Sequence, residues 1–285
     1  MGTICVIGRD ALAHARALAD ALGGAVRDLG GAADIETSRS VAELRAWRAA
    51  TPPPPGLDVA VIPVGPRAKR LLLADMDSTV IGQECLDELA DAAGHGEAVA
   101  AVTERAMRGE IGFEDALRDR VATLQGLPLS VAEEVLATRI TLTPGAATLT
   151  ATMRARGAAC VLVSGGFTLF TGPVAARAGF DAHHGNVLEV EDGRLTGRVV
   201  PPILGREAKR ERLEAELSAR SLSPDDALCV GDGANYLAMS EAAGLGVAFR
   251  AKPVVAAQAD ARVDHGDLAA LLYLQGIPRH EWADA

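Results

Sequence analysis

The segment Arg70–Ile81 constrains the fold of this chain more than any other stretch. Its apolar run, Leu71–Ala74, ends in two carboxylates, Asp75 and Asp77, and a hydroxyl pair follows them. A short continuous apolar run is typical of a strand buried on both faces of a parallel sheet, and ligands bind beyond the carboxyl ends of such strands. Two carboxylates this close need a cation, a shared proton or a phosphoryl group to relieve their repulsion. A strand followed by an Asp-stabilised turn would leave the same pattern, so the other segments decide between the two interpretations.

The composition excludes several classes of protein. Among 285 residues, 49% are hydrophobic and 3% aromatic, so the core must be built from Ala, Leu and Val, which suits helices covering a parallel sheet. The net charge of −10 and the lack of a Lys/Arg run argue against a nucleic-acid-binding surface. No apolar stretch approaches the length needed to cross a bilayer, and no basic segment precedes the first apolar residues. We therefore expect a cytoplasmic protein with neither a nucleic-acid nor a membrane partner.

The cysteine and histidine residues do not indicate a zinc site. Three of the four cysteines lie in apolar strand-like runs, which is typical of buried, reduced thiols; the four are Cys5, Cys85, Cys160 and Cys229. No C-x-x-C pattern or Cys/His cluster is present. For the one histidine pair, His183-His184, we expect a loop position rather than a metal site.

Residues 1–66 form a separate unit in the sequence. Strand and helix signals alternate there in the order βαββαβ, which is typical of a ferredoxin-like α+β domain. The pattern Ser40-x-x-Glu43 predicts a capping box at the start of the second helix, and the run Pro52–Gly56 ends that helix. The unit resembles the ACT-domain family, which senses amino acids. The alternative is a module for packing or dimerisation, which leaves a homodimer open.

The remainder predicts one α/β core with an insertion. After the first core segment, residues 70–82, the chain is almost wholly helical over residues 83–142. Helix and strand signals then alternate over residues 143–275, with a β-hairpin turn at Asp192-Gly193. This alternation predicts a doubly wound parallel sheet, and the helical block is predicted to form a cap over its site.

Polar residues follow two further apolar strands. Ser164 and Gly165 come after a Val-rich strand, where a hydroxyl and backbone N–H groups at a helix N-terminus would suit a phosphate oxygen; a plain Gly-rich turn is the alternative. Asp232 follows the third strand, and Lys209 between them supplies a cation, although a lone lysine is usually a solvated surface charge. Three carboxylates would repel a phosphate, and Mg²⁺ with oxygen ligands would remove that repulsion.

This ordered set resembles the haloacid dehalogenase superfamily of phosphotransferases over residues 70–265, which implies a Rossmann-like core. A narrower resemblance to the phosphoserine phosphatase family rests on four segments: Asp75–Ile81 with Glu84, Phe113–Val121, Val163–Phe167 and Gly231–Asn235. It implies a magnesium-dependent phosphatase that converts O-phospho-L-serine to L-serine and phosphate, the last step of serine biosynthesis, through an aspartyl phosphate.

The resemblance also implies a role for each site residue. Asp75 would be the nucleophile and Asp77 the general acid and base. Lys209 would balance charge in the catalytic group. The phosphate would be held by Ser164, Gly165 and Asn235, and Mg²⁺ by Asp75, the Asp77 backbone carbonyl and Asp232.

Substrate choice is expected to come from the predicted cap. Glu84 would pair with the ammonium of phosphoserine, and Arg120 would form a bidentate pair with its carboxylate. The resemblance places Met107 and Phe113 nearby as apolar shields. The alternatives are solvated helix charges for the first pair and ordinary packing for the second.

One position departs from the family pattern. The segment Gly231–Asn235 is usually followed by an aspartate near the metal, whereas this chain has Tyr236. A neutral phenol cannot replace a carboxylate, so a weakened phospho-amino-acid sensor remains an alternative, as does a phosphatase for another small phosphate ester. Because Asp75 and Asp77 are both present, we expect activity to remain.

Overall fold

The computed structural model describes residues 1–108 and 110–284, with the backbone but not the side chain of Met107. It contains eleven strands within these ranges: β1 Gly2–Ile7, β2 Gly24–Asp28, β3 Ala32–Thr37, β4 Asp58–Ile62, β5 Leu71–Ala74, β6 Ala159–Phe167, β7 Ala182–Glu191, β8 Arg194–Val200, β9 Ala227–Gly231, β10 Leu245–Phe249 and β11 Ala261–Val263. The α-helices of the same ranges are α1 Ala11–Leu22, α2 Val41–Ala50, α3 Cys85–Ala92, α4 Gly96–Met107, α5 Phe113–Ala122, α6 Leu129–Thr138, α7 Ala146–Ala155, α8 Thr168–Ala178, α9 Arg206–Ala219, α10 Leu237–Glu241, α11 Pro253–Ala256 and α12 Ala270–Leu274.

The main sheet has seven strands in the order β11-β10-β9-β5-β6-β7-β8. All neighbouring pairs are parallel except β7 and β8, which form the antiparallel hairpin predicted at Asp192-Gly193. Strand β5 lies at the centre, hydrogen-bonded to β6 on one side and β9 on the other. The loops after these three strands therefore meet at one edge of the sheet, as the sequence predicts.

Both faces of this sheet are covered. Along β5, Leu72 and Ala74 pack into one hydrophobic cluster, whereas Leu71 and Leu73 pack into a second cluster on the other face. Residues of β6 and β9 alternate between the same two clusters. Because successive side chains of a strand point to opposite faces, a strand buried on both sides must be apolar throughout. This confirms the predicted α/β class with a two-sided parallel sheet.

Helices α3 to α6 form one block between β5 and α7, where the sequence predicts a cap. Two short links join this block to the core. The Gly82 N–H donates to the Thr141 carbonyl, and the Thr143 N–H donates to the Val80 carbonyl at 2.9 Å. The β7–β8 hairpin supports the block from the side, since the Leu129 N–H donates to the Gly193 carbonyl.

The first four strands form a separate antiparallel sheet in the order β2-β3-β1-β4, flanked by α1 and α2. The order βαββαβ and the Ser40–Glu43 capping box are both confirmed. One face of the sheet packs on its own helices, and the other face joins the hydrophobic cluster of the main sheet. The buried Asp34 pairs with Arg67 through two hydrogen bonds of 2.6 and 2.7 Å and so ties the two units together.

On this architecture we propose the division that the sequence suggests. Residues 1–66 form the N-terminal module, residues 70–82 and 143–275 the core, and residues 83–142 the cap. None of the described helices combines the length and apolar character needed to cross a membrane.

Some local expectations were wrong. The pair His183-His184 lies in β7 rather than in a loop, with His183 Nδ1 2.9 Å from Thr171 Oγ1. Strand β6 continues to Phe167, so Ser164 and Gly165 lie in extended backbone rather than at the N-terminus of α8.

Candidate active site

A cavity of about 470 Å³ opens between the carboxyl edge of the main sheet and the helical cap. Its walls contain eight of the residues expected at the site, namely Asp75, Asp77, Glu84, Phe113, Arg120, Gly165, Asp232 and Asn235. Segments far apart in the sequence therefore converge on one space, which a turn-stabilising role for Asp75 and Asp77 would not require.

Asp75 is fixed at the floor of the cavity. It directly follows the central strand β5, it is 2% exposed, and its N–H donates to the Val230 carbonyl at 2.9 Å. Lys209 Nζ donates to Asp75 Oδ2 at 2.5 Å. Lys209 is itself 1% exposed, so it is not the solvated surface charge that a lone lysine usually represents. The buried cation compensates the buried carboxylate and holds it in one orientation.

Asp77 is held from two sides. Its Oδ1 accepts the Cys85 N–H at 3.0 Å, and its Oδ2 accepts the Ser164 hydroxyl at 3.1 Å. Desolvation raises the pKa of Asp77, these bonds partly offset that effect, and the charge of Asp75 raises the pKa further. A carboxyl group with a raised pKa retains a proton more readily, which suits a proton donor.

Ser164 lies behind the cavity wall rather than in it. Its side chain is fully buried, and its Oγ accepts the Gly166 N–H at 2.8 Å while donating to Asp77. A Cβ atom at Gly166 would lie 2.8 Å from Asp77 Oδ2. Only glycine therefore allows this backbone to approach the carboxylate so closely.

Asp232 completes the acidic end of the cavity. It follows β9 and accepts a hydrogen bond from Thr79 Oγ1 at 3.3 Å. Burial and the nearby charge of Asp75 both raise its pKa. Such mutual repulsion between carboxylates is relieved by a divalent cation, and oxygen ligands suit Mg²⁺. No three or more acidic, His or Cys side chains cluster as a metal site in the described residues, so a cation here would need backbone, water or substrate oxygens as well.

The cap contributes one negative and one positive side chain. Ser78 Oγ donates to Glu84 Oε1 at 2.7 Å, and Arg120 Nε donates to the Ala116 carbonyl at 3.3 Å. Glu84 is an exposed residue, yet desolvation at the cavity, followed by the charge of Asp77, raises its pKa to about 7. Arg120 forms no ion pair with the described residues, which leaves its guanidinium available to an anion.

Phe113 lies in the cavity wall beside Gly165. It is 43% exposed, and a Cβ atom at Gly165 would be 3.6 Å from its Cζ. The shielding role expected of it stays a prediction. The side chain of Met107, expected to act beside it, lies outside the part of the chain that the structure describes.

Several lining or supporting residues were missed at the level of sequence. The buried Asn186 on β7 donates from Nδ2 to the Gly165 carbonyl at 2.8 Å, and its Oδ1 accepts the Leu204 N–H at 2.7 Å. The sequence around an asparagine in a strand does not indicate that its side chain will bind the backbone of a neighbouring strand. Lys252 and Val254, in the segment after β10, also line the cavity. Both residues follow a further parallel strand, and this position could have indicated that they lie at the same edge of the sheet as the cavity.

Tyr236 is directed into the core rather than toward the carboxylates. It is fully buried, it packs in the cluster that covers one face of the sheet, and its hydroxyl accepts a hydrogen bond from Ser240 at 2.8 Å. Burial raises the pKa of this phenol well above its ordinary value. Tyr236 is therefore a neutral core residue and contributes no charge to the cavity.

Comparisons with known proteins place the chain in a family. A family model described as haloacid dehalogenase-like hydrolase matches residues 72–241. The chain is 44% identical to a phosphoserine phosphatase from Archaeoglobus fulgidus over 78% of this chain and 65% of that protein. It is 47% identical to a phosphoserine phosphatase from Polaromonas over 72% of this chain and 89% of that protein.

A solved structure extends the similarity across both units of the chain. The unliganded probable phosphoserine phosphatase from Vibrio cholerae superposes with a TM-score of 0.79 at 32% identity, covering 98% of this chain and 88% of that one. The alignments span only 55% to 65% of the length of the first curated relatives matched.

Proposed function

The chain belongs to the haloacid dehalogenase-like hydrolase family and, within it, to the phosphoserine phosphatases, and from that membership we propose that it hydrolyses O-phospho-L-serine to L-serine and inorganic phosphate. One observation carries the proposal. The cavity has two carboxylates at its floor, the buried Asp75 and the partly buried Asp77, and an opposite-charge pair, Glu84 and Arg120, on the cap. The first pair suits phosphoryl transfer, and the second matches the ammonium and carboxylate of an amino acid.

In the first step, the Asp75 carboxylate attacks phosphorus. A bond forms between a carboxylate oxygen and phosphorus while the bond from phosphorus to the serine oxygen breaks. The leaving oxygen takes a proton from Asp77, whose raised pKa favours the protonated form at the start. L-serine leaves, and the phosphoryl group remains on Asp75.

In the second step, water replaces the carboxylate. Asp77, now ionised, accepts a proton from the water as its oxygen attacks phosphorus, and the bond to Asp75 breaks. Inorganic phosphate is released, and both aspartates return to their starting forms. The hydrogen bonds from Cys85 and Ser164 hold Asp77 in one orientation for both proton transfers.

Charge compensation comes from two sources in this proposal. Lys209 offsets the charge of Asp75 through its contact at 2.5 Å. Mg²⁺ would be held by the carboxylates of Asp75 and Asp232 and by the Asp77 backbone carbonyl, where its positive charge would offset repulsion between these carboxylates and the phosphoryl group. The backbone at Gly165 and the Asn235 amide line the cavity and would hold phosphate oxygens in this proposal, and buried Ser164 would support that loop through its bond to the Gly166 N–H.

The decisive experiment is phosphate release from O-phospho-L-serine by the full chain, with and without Mg²⁺. We expect magnesium-dependent turnover that Asp75→Asn lowers by at least about 10³-fold, because the amide removes the nucleophile while keeping its shape. Saturable binding of phosphoserine without phosphate release would contradict the enzyme and support a sensor. Faster release from phosphate esters that lack the amino-acid group would contradict the substrate.

A further inference from the structure

Lys252 lies at the entrance of the active-site cavity and has no partner within the described residues. It belongs to the segment between β10 and α11, lines the same cavity as Asp75 and Asp232, and is exposed. No hydrogen bond or ion pair of its ammonium is found in the described part of the chain, whereas its backbone carbonyl accepts the N–H groups of Val255 and Ala256 at 2.9 Å each. The backbone is therefore anchored while the charged end is available to a ligand.

The charge balance of the cavity explains why an ammonium group at its entrance would help an anionic substrate to bind. Among the described residues, four carboxylates line the cavity, and only two cationic side chains do so, Arg120 from the cap and Lys252 from the core. The chain as a whole carries a net charge of −10. An anionic substrate that approaches an acidic protein and an acidic cavity needs local positive charge at the entrance, since charges there attract it before contact.

Local structure does not otherwise call for a lysine at this position. Lys252 directly precedes the first residue of α11, where a positive charge opposes rather than complements the helix dipole. The sequence contains only three lysines, Lys69, Lys209 and Lys252. The first is buried with its Nζ 2.7 Å from the Asp225 carbonyl oxygen, and the second is buried against Asp75.

We propose that Lys252 is a phosphate-attracting residue that draws the phosphate group of the substrate into the cavity from the core side. Strand β10 pairs in parallel with β9, so the segment that holds Lys252 lies beside the loop that holds Asp232, at the phosphate end. Arg120 lines the cavity from the cap and is left for the carboxylate. The proposal rests on the proposed function, because it assigns Lys252 to the substrate of that same cavity.

Kinetics of Lys252→Ala test the role. We expect the KM for O-phospho-L-serine to rise on the order of five- to tenfold at low salt, with kcat changed by less than about twofold, and the difference to shrink at high ionic strength. Lys252→Arg should restore the KM. The matched control Arg16→Ala removes one exposed positive charge from the N-terminal module and should leave KM unchanged.

Product inhibition identifies the group that Lys252 meets. Inorganic phosphate should inhibit Lys252→Ala more weakly than wild type by the same factor as the KM rises, while inhibition by L-serine stays unchanged. A weakened effect of L-serine instead would overturn the assignment to phosphate. An unchanged KM in Lys252→Ala would overturn the role itself.

Amine labelling gives a readout that needs no turnover. Lys252 is the one exposed lysine, so an acetylating reagent followed by peptide mass mapping should modify it well before Lys69 and Lys209. Inorganic phosphate with Mg²⁺ should slow its labelling. If phosphate protects Lys252 from labelling but phosphoserine is not hydrolysed, the inference that Lys252 attracts phosphate is supported and the proposed function is wrong. If phosphoserine is hydrolysed and phosphate gives no protection, the inference about Lys252 is wrong.

Discussion

Replacing Lys209 with methionine should destabilise the fold as well as the site. Its ammonium pairs with Asp75 at 2.5 Å, and the two side chains are 1% and 3% exposed. Methionine fills a similar volume but leaves the carboxylate buried without a cation. Removing one partner of such a pair costs about 3–5 kcal/mol, so we expect the free energy of unfolding of Lys209→Met to fall by that amount.

The double variant Asp75→Asn with Lys209→Met distinguishes lost charge from lost packing. With both charges removed, no buried group remains uncompensated, and the double variant should lie within about 1–2 kcal/mol of wild type. The two changes should thus be strongly non-additive. Leu213→Met is the matched control, since it puts methionine at another buried position of α9, and it should cost less than about 1.5 kcal/mol.

Urea denaturation at neutral pH without added metal measures wild type and the four variants, including Asp75→Asn alone. The reasoning holds only if the m-values agree, because the loss must reflect stability and not a change in the denatured state. A loss below about 1 kcal/mol in Lys209→Met, or a double variant that sums the two single losses, would refute it. Adding Mg²⁺ should restore part of the stability of Lys209→Met if a cation binds beside Asp75.

Further predictions address the cap, the loop support and the core. The pKa of Glu84 is raised from 4.5 to about 7, so the folded protein loses the charge of Glu84 as pH falls through 7. The KM of wild type for O-phospho-L-serine should rise over that pH range, whereas the KM of Glu84→Gln should stay constant. Glu84 also makes the fold less stable as pH rises from 4.5 toward 7, so in unfolding titrations Glu84→Gln should gain stability relative to wild type over that range. Arg120→Ala should raise the KM for O-phospho-L-serine by about tenfold or more. The KM for O-phosphoethanolamine, which lacks the carboxylate, should change much less. Asn186→Ala should lower the apparent affinity for inorganic phosphate, measured by inhibition, because it frees the Gly165 carbonyl. Tyr236→Phe should cost about 1 kcal/mol in urea denaturation through the lost Ser240 bond and leave kcat within about twofold.

The residues at strand ends could be predicted from the sequence because one physical rule places them all. An apolar run followed by a polar residue indicates a buried strand and its carboxyl end, and this rule finds Asp75 and Asp232 without knowledge of contacts. Parallel pairing then brings both to one sheet edge. The helical run after β5 likewise indicates the cap, since one helix suffices to connect two parallel strands and this connection contains four further helices before α7.

Other features depend on tertiary contacts that leave no local pattern. Asn186 donates a hydrogen bond to the Gly165 carbonyl on the neighbouring strand, and a single asparagine in a strand sequence does not indicate such a contact. Tyr236 was expected to weaken the metal site, because the residue type at that position was compared with an aspartate. Its orientation into the core depends on the space beside Gly231 and on Ser240, which only the packed structure reveals.

In the proposed function, the residues for catalysis and those for substrate choice lie on different parts of the molecule, and each part is attached to the sheet in a different way. Asp75 and Asp232 follow adjacent strands whose hydrogen-bonded register fixes their separation. Glu84 and Arg120 belong to the inserted helices, which are tied to the core by the short links near Ile81 and by the hairpin. Changes in the cap should therefore alter which phosphate ester binds while leaving the separation of Asp75 and Asp232 intact. A cavity built in this way can acquire a new substrate through the cap without disturbing the buried ion pair at its floor.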